Sequence, residues 1–167
     1  DYVPLLNRAY ANWSALEQEY GQQLYVRTGL ILAARPECEA VSGTLAVAAT
    51  HGLDIQAVPL HEARSRFPTF EFADDEVVVH ERDAGYLHVE ECVRAHLDRA
   101  QAAGAVAHFH EPVRLIEPRG SSVSVRTDRG DYSAAALVVA GGAWSTQLLS
   151  DLNLPLRVLR KVLFWHP

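Results

Sequence analysis

The sequence has 167 residues, of which 49% are hydrophobic and 22% charged, and its formal net charge is −6 at pH 7. This balance is typical of a globular protein with a core of its own, and the lack of a basic patch interleaved with aromatic residues excludes nucleic acid as a partner. No apolar run reaches the roughly 18 residues of a membrane-spanning helix, which excludes a membrane partner.

Two cysteines, Cys38 and Cys92, occur without the spacing of a metal site or a disulfide framework. We therefore expect two free structural thiols and a cytoplasmic location, because disulfides persist mainly in oxidising compartments. The sequence contains no methionine, opens on DYVP and ends on FWHP. From these features we expect an internal piece of a longer protein.

The first half of the chain predicts helices that alternate with short strands. Apolar residues recur every three or four positions from Leu5 to Tyr20, which predicts an amphipathic helix with Pro4 in its first turn and Gly21 at its end. The elements predicted next are two strands or one bent strand over 22–34, a helix over 37–51, an extended piece over 53–58, a short helix over 60–67 and a strand over 76–80.

The second half predicts a helix followed by antiparallel strands. The helix covers 90–103, with two glutamates in its first turn and Gly104 as its stop. The strands predicted after it are one over 105–109, a three-strand meander over 113–116, 123–127 and 132–135, and a buried strand over 137–140.

Two glycines, Gly141 and Gly142, follow the predicted buried strand and precede a short apolar pattern. Glycines at the carboxyl end of such a strand allow a ligand to approach the backbone, and doubly wound sheets bind dinucleotides at this end. A tight packing turn explains the same pair, and no G-x-G-x-x-G pattern occurs in the sequence. The pair therefore predicts at most the supporting half of a nucleotide site.

A metal site is the alternative that the histidines raise. His108 and His110 would share one face of a strand, a spacing that metal sites use, and Glu111 or His80 would supply a third ligand. Two polar residues on the exposed face of a half-buried strand explain the same pattern. We assign no metal site.

Four stretches, in order along the chain, resemble a known family. They are Y-V-P-L at 2–5 with W-x-x-L-E at 13–17, T-G-L-I at 28–31, G-Y-L at 85–87 with E-x-C-V-R-A at 90–95, and V-V-A-G-G-A-W-S at 138–145 with L-L at 148–149. Together they resemble the monomeric sarcosine oxidase and N-methyltryptophan oxidase group of the D-amino-acid-oxidase-like (DAO) class of FAD-dependent amine oxidases. The resemblance covers essentially the whole chain.

The resemblance implies a mixed α/β fold: part of a doubly wound FAD-binding domain with an antiparallel meander, and part of a mixed-sheet substrate domain. By it, residues 1–82 are the first half of the substrate domain, 83–150 the FAD-domain portion and 151–167 the start of a second substrate-domain segment. For the longer protein it implies oxidation of a secondary amine or amino acid to an imine, with FAD as cofactor and hydrogen peroxide as product. By these 167 residues alone we expect FAD to be bound weakly or not at all. The implied partners are the amine, oxygen and the rest of the longer chain.

The resemblance also implies site residues. Val113 matches a position whose backbone meets the adenine edge of FAD, and Tyr2 matches a residue near the active-site entrance. The turn that approaches the adenosine half comprises Gly141, Gly142, Ala143 and Trp144. No catalytic residue is assigned, and neither cysteine matches the family's flavin-linking motif.

Two other functions fit the same residues. One is a non-catalytic α/β module that binds a small ligand or another protein. The other is an FAD-dependent amine dehydrogenase that passes electrons to an acceptor other than oxygen. Nothing in the sequence selects between oxidase and dehydrogenase, or identifies the amine.

Overall fold

The computed structural model describes residues 2–165. The chain divides into two compact units, the first ending at Val106 and the second beginning at Ala107. Helices and antiparallel strands are mixed along the chain, which confirms the predicted mixed α/β class. Within the described residues, no helix has the length and apolar character needed to span a membrane.

Four helices belong to the first unit: α1 (Val3–Tyr20), α2 (Glu39–His51), α3 (Leu60–Arg66) and α4 (Val89–Ala102). All four were predicted, because each carries a readable start or stop signal. α1 has a proline in its first turn and ends at Gly21, whose φ of 76° is left-handed and whose N–H donates to the Glu17 carbonyl. α2 ends in the same way at Gly52, with φ of 62°.

The strands of the first unit are β1 (Tyr25–Arg27), β2 (Leu30–Ala34), β3 (Ile55–Val58), β4 (Val77–Glu81) and β5 (Gly85–Leu87). β4 is the middle strand of an antiparallel sheet in the order β2-β4-β3, and β1 pairs antiparallel with β5. The 22–34 region thus contains two strands that belong to different sheets. β5 was not predicted, since its three residues include a glycine.

Two buried apolar clusters hold this unit together. One joins β3, α3 and β4 through Val58, Ala63, Phe72 and Val78. The other joins α4 to the segment before β1 through Leu24, Cys92 and Ala95, with side chains of α1 packed against it. Burial raises the pKa of the Cys92 thiol, so this cysteine is a protonated packing residue.

The second unit is built on a meander of β6 (Val113–Arg119), β7 (Ser122–Thr127) and β8 (Asp131–Ala134). The strands pair antiparallel in the order β6-β7-β8, as predicted. Gly120, in the first turn, has a φ of 60°. The β6–β7 register shifts between Val113 and Leu115, which marks a β-bulge. A 3-10 turn (Gly142–Trp144) leads into the short helix α5 (Ser145–Leu148).

Two predicted strands, 105–109 and 137–140, are wrong. Both segments lack regular structure, and Val138 is 88% exposed. The predictions rested on the apolar runs alone. A strand in addition needs a neighbouring strand that pairs with its backbone N–H and C=O groups. Among residues 2–165 no strand pairs with either segment.

Candidate cofactor-binding site

The glycine turn gives its two glycines different roles. A Cβ on Gly141 would lie 3.0 Å from the Leu148 Cδ1 atom, so Gly141 allows the turn to pack against α5. Gly142 has a left-handed φ of 53°, and no atom lies within 4 Å of where its Cβ would be. Trp144 closes the turn by donating its N–H to the Gly141 carbonyl, and its side chain is 67% exposed. Gly142 therefore presents open backbone, as close approach by a ligand requires.

Val113 begins β6, the edge strand of the meander. β7 pairs with only one edge of β6, and the described residues provide no strand for the other edge. The bulge after Val113 turns the backbone locally, and bulges of this kind are frequent beside binding sites. An open, bulged edge strand can offer backbone N–H and C=O groups to a planar ligand.

A buried carboxylate immediately precedes this strand. The Glu111 side chain is only 2% exposed. Its Oε1 atom accepts hydrogen bonds from the Thr127 hydroxyl at 2.6 Å and the Tyr132 hydroxyl at 2.7 Å. Its Oε2 atom lies 3.2 Å from Nδ1 of His108. We call these four residues the Glu111 cluster.

The hydrogen bonds within the Glu111 cluster favour the ionised form of the Glu111 side chain. Donation from Thr127 and then Tyr132 lowers the pKa of Glu111 below its usual value, and the charges of His108 and Arg129 act in the same direction. The carboxylate conversely raises the pKa of Tyr132, because it accepts a hydrogen bond from the phenolic hydroxyl and so stabilises the protonated form. Glu111 is therefore a carboxylate held in place by neutral hydroxyl donors at neutral pH.

The metal site considered from the sequence required a strand that carries His108 and His110 on one face, and the structure has no strand there. His108 and His110 do not lie on a strand, since 105–109 has no regular structure. His108 faces Glu111, and His110 adopts a left-handed φ of 54°. Groups of three His, Cys, Asp or Glu side chains able to hold a metal ion are absent from residues 2–165. Glu111, considered from sequence as a third ligand, instead bonds to two hydroxyl groups.

Tyr2 belongs to the first unit, where it caps α1 and is 78% exposed. In the same unit a cavity of about 430 Å³ lies beside α1 and is lined in part by Tyr10, Trp13 and Tyr25. Tyr25 donates its hydroxyl to the Asp83 carbonyl at 2.5 Å. The volume falls in the range of small-molecule sites.

Two features of the second unit leave backbone open to a ligand. One edge of β6, the strand that Val113 begins, is unpaired within the described residues, and the space beside Gly142 is open. Backbone N–H and C=O groups can hydrogen-bond to the edge of a planar ligand. The G-x-G-x-x-G loop that binds the pyrophosphate of a dinucleotide does not occur in the sequence.

Known proteins resemble the chain along nearly its whole length. It is 38% identical over 164 residues to a monomeric sarcosine oxidase of Streptomyces avermitilis, which covers 98% of this chain and 43% of that protein. It is 32% identical over 165 residues to an N-methyl-L-tryptophan oxidase of Yersinia pestis, covering 99% of this chain and 44% of that protein. The chain thus spans less than half the length of the curated relatives it matches.

Solved structures share the fold. NikD, an unusual amino acid oxidase essential for nikkomycin biosynthesis, matches with a TM-score of 0.72 and 28% identity over 84% of this chain and 37% of that one. Glycine oxidase from Geobacillus kaustophilus matches with a TM-score of 0.74 and 26% identity over 93% of this chain and 44% of that one. The family of FAD dependent oxidoreductases abbreviated DAO matches residues 1–165, and the chain belongs to this family.

Proposed function

We propose that the chain is part of an FAD-dependent oxidoreductase that oxidises a secondary amine or an amino acid to an imine, with oxygen as acceptor and hydrogen peroxide as product. The observation that carries the proposal is the 38% identity to a sarcosine oxidase, which extends over 164 residues rather than one motif. The similarity to an N-methyl-L-tryptophan oxidase supports the same class of small amine substrate.

In this proposal residues 1–82 and 151–167 contribute to a substrate domain, and residues 83–150 to the FAD domain. Two free cysteines, one of them buried, support a cytoplasmic location. The rest of the longer chain is the partner that completes both domains. The need for further chain is supported by the match to the sarcosine oxidase, of which this chain covers 43%.

The site residues of the proposal act mainly through backbone. Val113 would bind the adenine edge of FAD through its N–H and C=O groups, with the open edge of β6 in support. The adenosine half would be approached by the turn of Gly141, Gly142, Ala143 and Trp144. Tyr2 would lie near the entrance for the amine. When bound, FAD supplies the redox chemistry, because it accepts the hydride equivalent that leaves the amine.

Flavin retention tests the proposal. The longer protein of which this chain is proposed to be a part is purified, mixed with FAD and desalted, and its visible absorption spectrum is recorded. We expect flavin absorbance to remain with the protein, which then enters an assay for amine-dependent peroxide. A colourless protein would overturn the proposal that these residues hold FAD.

Gly142 provides a test variant for that measurement, and Gly120 provides the matched control. Asn tolerates a left-handed backbone, so Gly142→Asn adds a side chain to the open space without forcing the turn to change. Gly120→Asn makes the same change at a left-handed glycine, also with no atom within 4 Å, in the β6–β7 turn. We expect Gly142→Asn to lose flavin and Gly120→Asn to keep it. Equal retention would remove Gly142 from the site.

A further inference from the structure

The function proposed above leaves the buried Glu111 side chain without a role. Its Oε2 atom is buried and makes no hydrogen bond within the described residues, although Nδ1 of His108 lies 3.2 Å away. Burying a carboxylate is costly unless its interactions compensate. The side chain therefore needs an explanation beyond that of a solvated surface residue.

The backbone around Glu111 is constrained on both sides. His110, immediately before it, has a φ of 54°, a region that residues other than glycine seldom occupy and that costs conformational energy. Pro112, immediately after it, has its φ fixed by the ring. The next residue is Val113, where β6 begins. The path of the chain into β6 is thus set by three consecutive residues.

The Glu111 cluster fastens this path to the rest of the meander. Thr127 is the last residue of β7 and Tyr132 lies in β8, so Oε1 of Glu111 ties the segment before β6 to both other strands. The bulge that follows Val113 weakens the regular β6–β7 pairing at this end. The hydrogen bonds that the Glu111 carboxylate accepts from Thr127 and Tyr132 therefore restrain the backbone before β6, where the strand pairing is irregular.

We propose that Glu111 is a positioning residue for the cofactor: it fixes the backbone of Val113 in the orientation that binds the adenine edge of FAD. This inference rests on the proposed function. Glu111 acts through the main chain and touches no part of the cofactor. Its removal leaves the N–H and C=O groups of Val113 present but variable in direction, and hydrogen bonds weaken steeply when misaligned.

Variants made in the longer protein that contains this chain test the proposal. Glu111→Ala removes the acceptor, and Glu111→Gln keeps an oxygen for Thr127 and Tyr132 to donate to. Tyr132→Phe removes one donor and leaves the ring. Glu117→Ala is the matched control, since Glu117 is a half-buried acidic residue on β6 that pairs with Arg119 outside the Glu111 cluster.

Two quantities are measured well below the thermal midpoint of each variant, so that loss of stability alone does not change them. They are the dissociation constants for FAD and for adenosine monophosphate, and the NMR order parameters of the Val113 and Leu115 backbone amides. For Glu111→Ala we expect both dissociation constants to rise by roughly tenfold, the effect of weakening one or two hydrogen bonds. The order parameters of its Val113 and Leu115 amides should also fall.

The remaining variants make the expectation specific. Glu111→Gln should restore most of the affinity, Tyr132→Phe should show a smaller loss than Glu111→Ala, and Glu117→Ala should match wild type. If Glu111→Ala does not fold, Tyr132→Phe decides: unchanged affinity and an unchanged order parameter at Val113 overturn the inference.

Failure of the inference and failure of the proposed function give different results. If the wild-type longer protein binds neither FAD nor adenosine monophosphate, the proposed cofactor site fails and the inference fails with it. If wild type binds both and Glu111→Ala binds them equally well, only the inference is overturned.

Discussion

At Gly85 the backbone of β1 occupies the space that a side chain would need. A Cβ there would collide with the Val26 carbonyl oxygen and lie 2.9 Å from the Arg27 Cα atom. Both neighbours are backbone atoms of the paired strand, so neither can move without breaking the β1–β5 ladder. The glycine is therefore fixed by packing rather than by its own φ.

We expect Gly85→Ala to destabilise the chain by more than about 3 kcal/mol, as strained and overpacked sites do. Gly43→Ala is the control, because Gly43 lies inside α2 with no atom within 4 Å of its Cβ position. That change should stabilise the chain by about 0.5–1 kcal/mol through helix propensity. Urea unfolding of both variants measures the difference in their free energies of unfolding. Equal urea midpoints for the two variants would contradict a collision at Gly85.

Protonation of the Glu111 carboxylate should make the thermal stability of the chain depend on pH. Its pKa is lowered in the folded chain, so its stabilising contribution is present above the usual Glu pKa of about 4.3 and is lost as pH falls through the folded value. The groups that face it are His108, Thr127 and Tyr132, with Arg129 nearby. Glu111→Gln has no carboxylate to protonate, so it should flatten this part of the profile.

Thermal midpoints measured between about pH 6 and pH 3 test this dependence. Wild type should lose stability more steeply towards low pH than Glu111→Gln does. Glu117→Gln changes a carboxylate of β6 whose side chain is 42% exposed, and should follow the wild-type profile. Parallel profiles for wild type and Glu111→Gln would show that the carboxylate contributes nothing through its charge.

Single-residue roles were only partly predictable from sequence. The open backbone at Gly142 follows from a pattern that places glycine at the end of an apolar run. The collision at Gly85 depends on which strand lies opposite, and no local pattern encodes that. Glu111 was considered for its oxygen atoms, but its partners Thr127 and Tyr132 became visible only when the meander brought them together.

At the scale of elements, α1 and α4 meet over one small core. Leu24 is fully buried between them, its N–H donates to the Glu17 carboxylate and its carbonyl accepts from the His88 N–H. Cys92 and Ala95 pack against it from α4. One apolar side chain therefore connects two helices and the start of β1.

We expect Leu24→Ala to cost about 2–5 kcal/mol, the range for emptying a buried leucine site. Leu5→Ala serves as the control, because Leu5 is 62% exposed on α1 and alanine is a good helix former. Its effect should stay within about 0.5 kcal/mol. Chemical denaturation followed by far-UV circular dichroism measures both, and a small loss at Leu24 would mean that the two helices do not depend on this core.

Helices were easier to predict than strands for a physical reason. A helix satisfies its backbone groups within one segment, so α1 is readable from its apolar spacing, its proline and Gly21. A strand depends on a neighbour supplied by another segment. The meander was predicted because tight turns place each neighbour next in sequence, whereas the apolar run at 137–140 had no such neighbour and does not form a strand.

At the scale of the whole molecule, a long stretch of apolar residues is exposed. Residues 152–165, which we call the tail, include Leu163 at 83% and Phe164 at 77% exposure. Exposed patches of this kind mark surfaces that another protein segment covers. We expect the purified chain to associate with itself as its concentration rises.

Light scattering coupled to size-exclusion chromatography measures that association. The double variant Leu163→Glu with Phe164→Glu should shift the chain towards the monomer mass. Val138→Glu places the same charge at a residue 88% exposed outside the tail, and should have a smaller effect. A wild-type chain that is monodisperse and monomeric at every concentration would show that the tail does not drive association.

The connectivity of the sheets also sets an order of folding. Every pairing in the meander joins strands linked by a tight turn. In the β2-β4-β3 sheet Leu30 pairs with Glu81, roughly fifty residues later, and closing so long a loop costs more entropy than closing a hairpin. After dilution from denaturant, pulse-labelled hydrogen exchange should therefore find the amides of β6-β7-β8 protected before those of β2 and β4. The meander, which follows β2 and β4 along the chain, would then complete its backbone pairing before them.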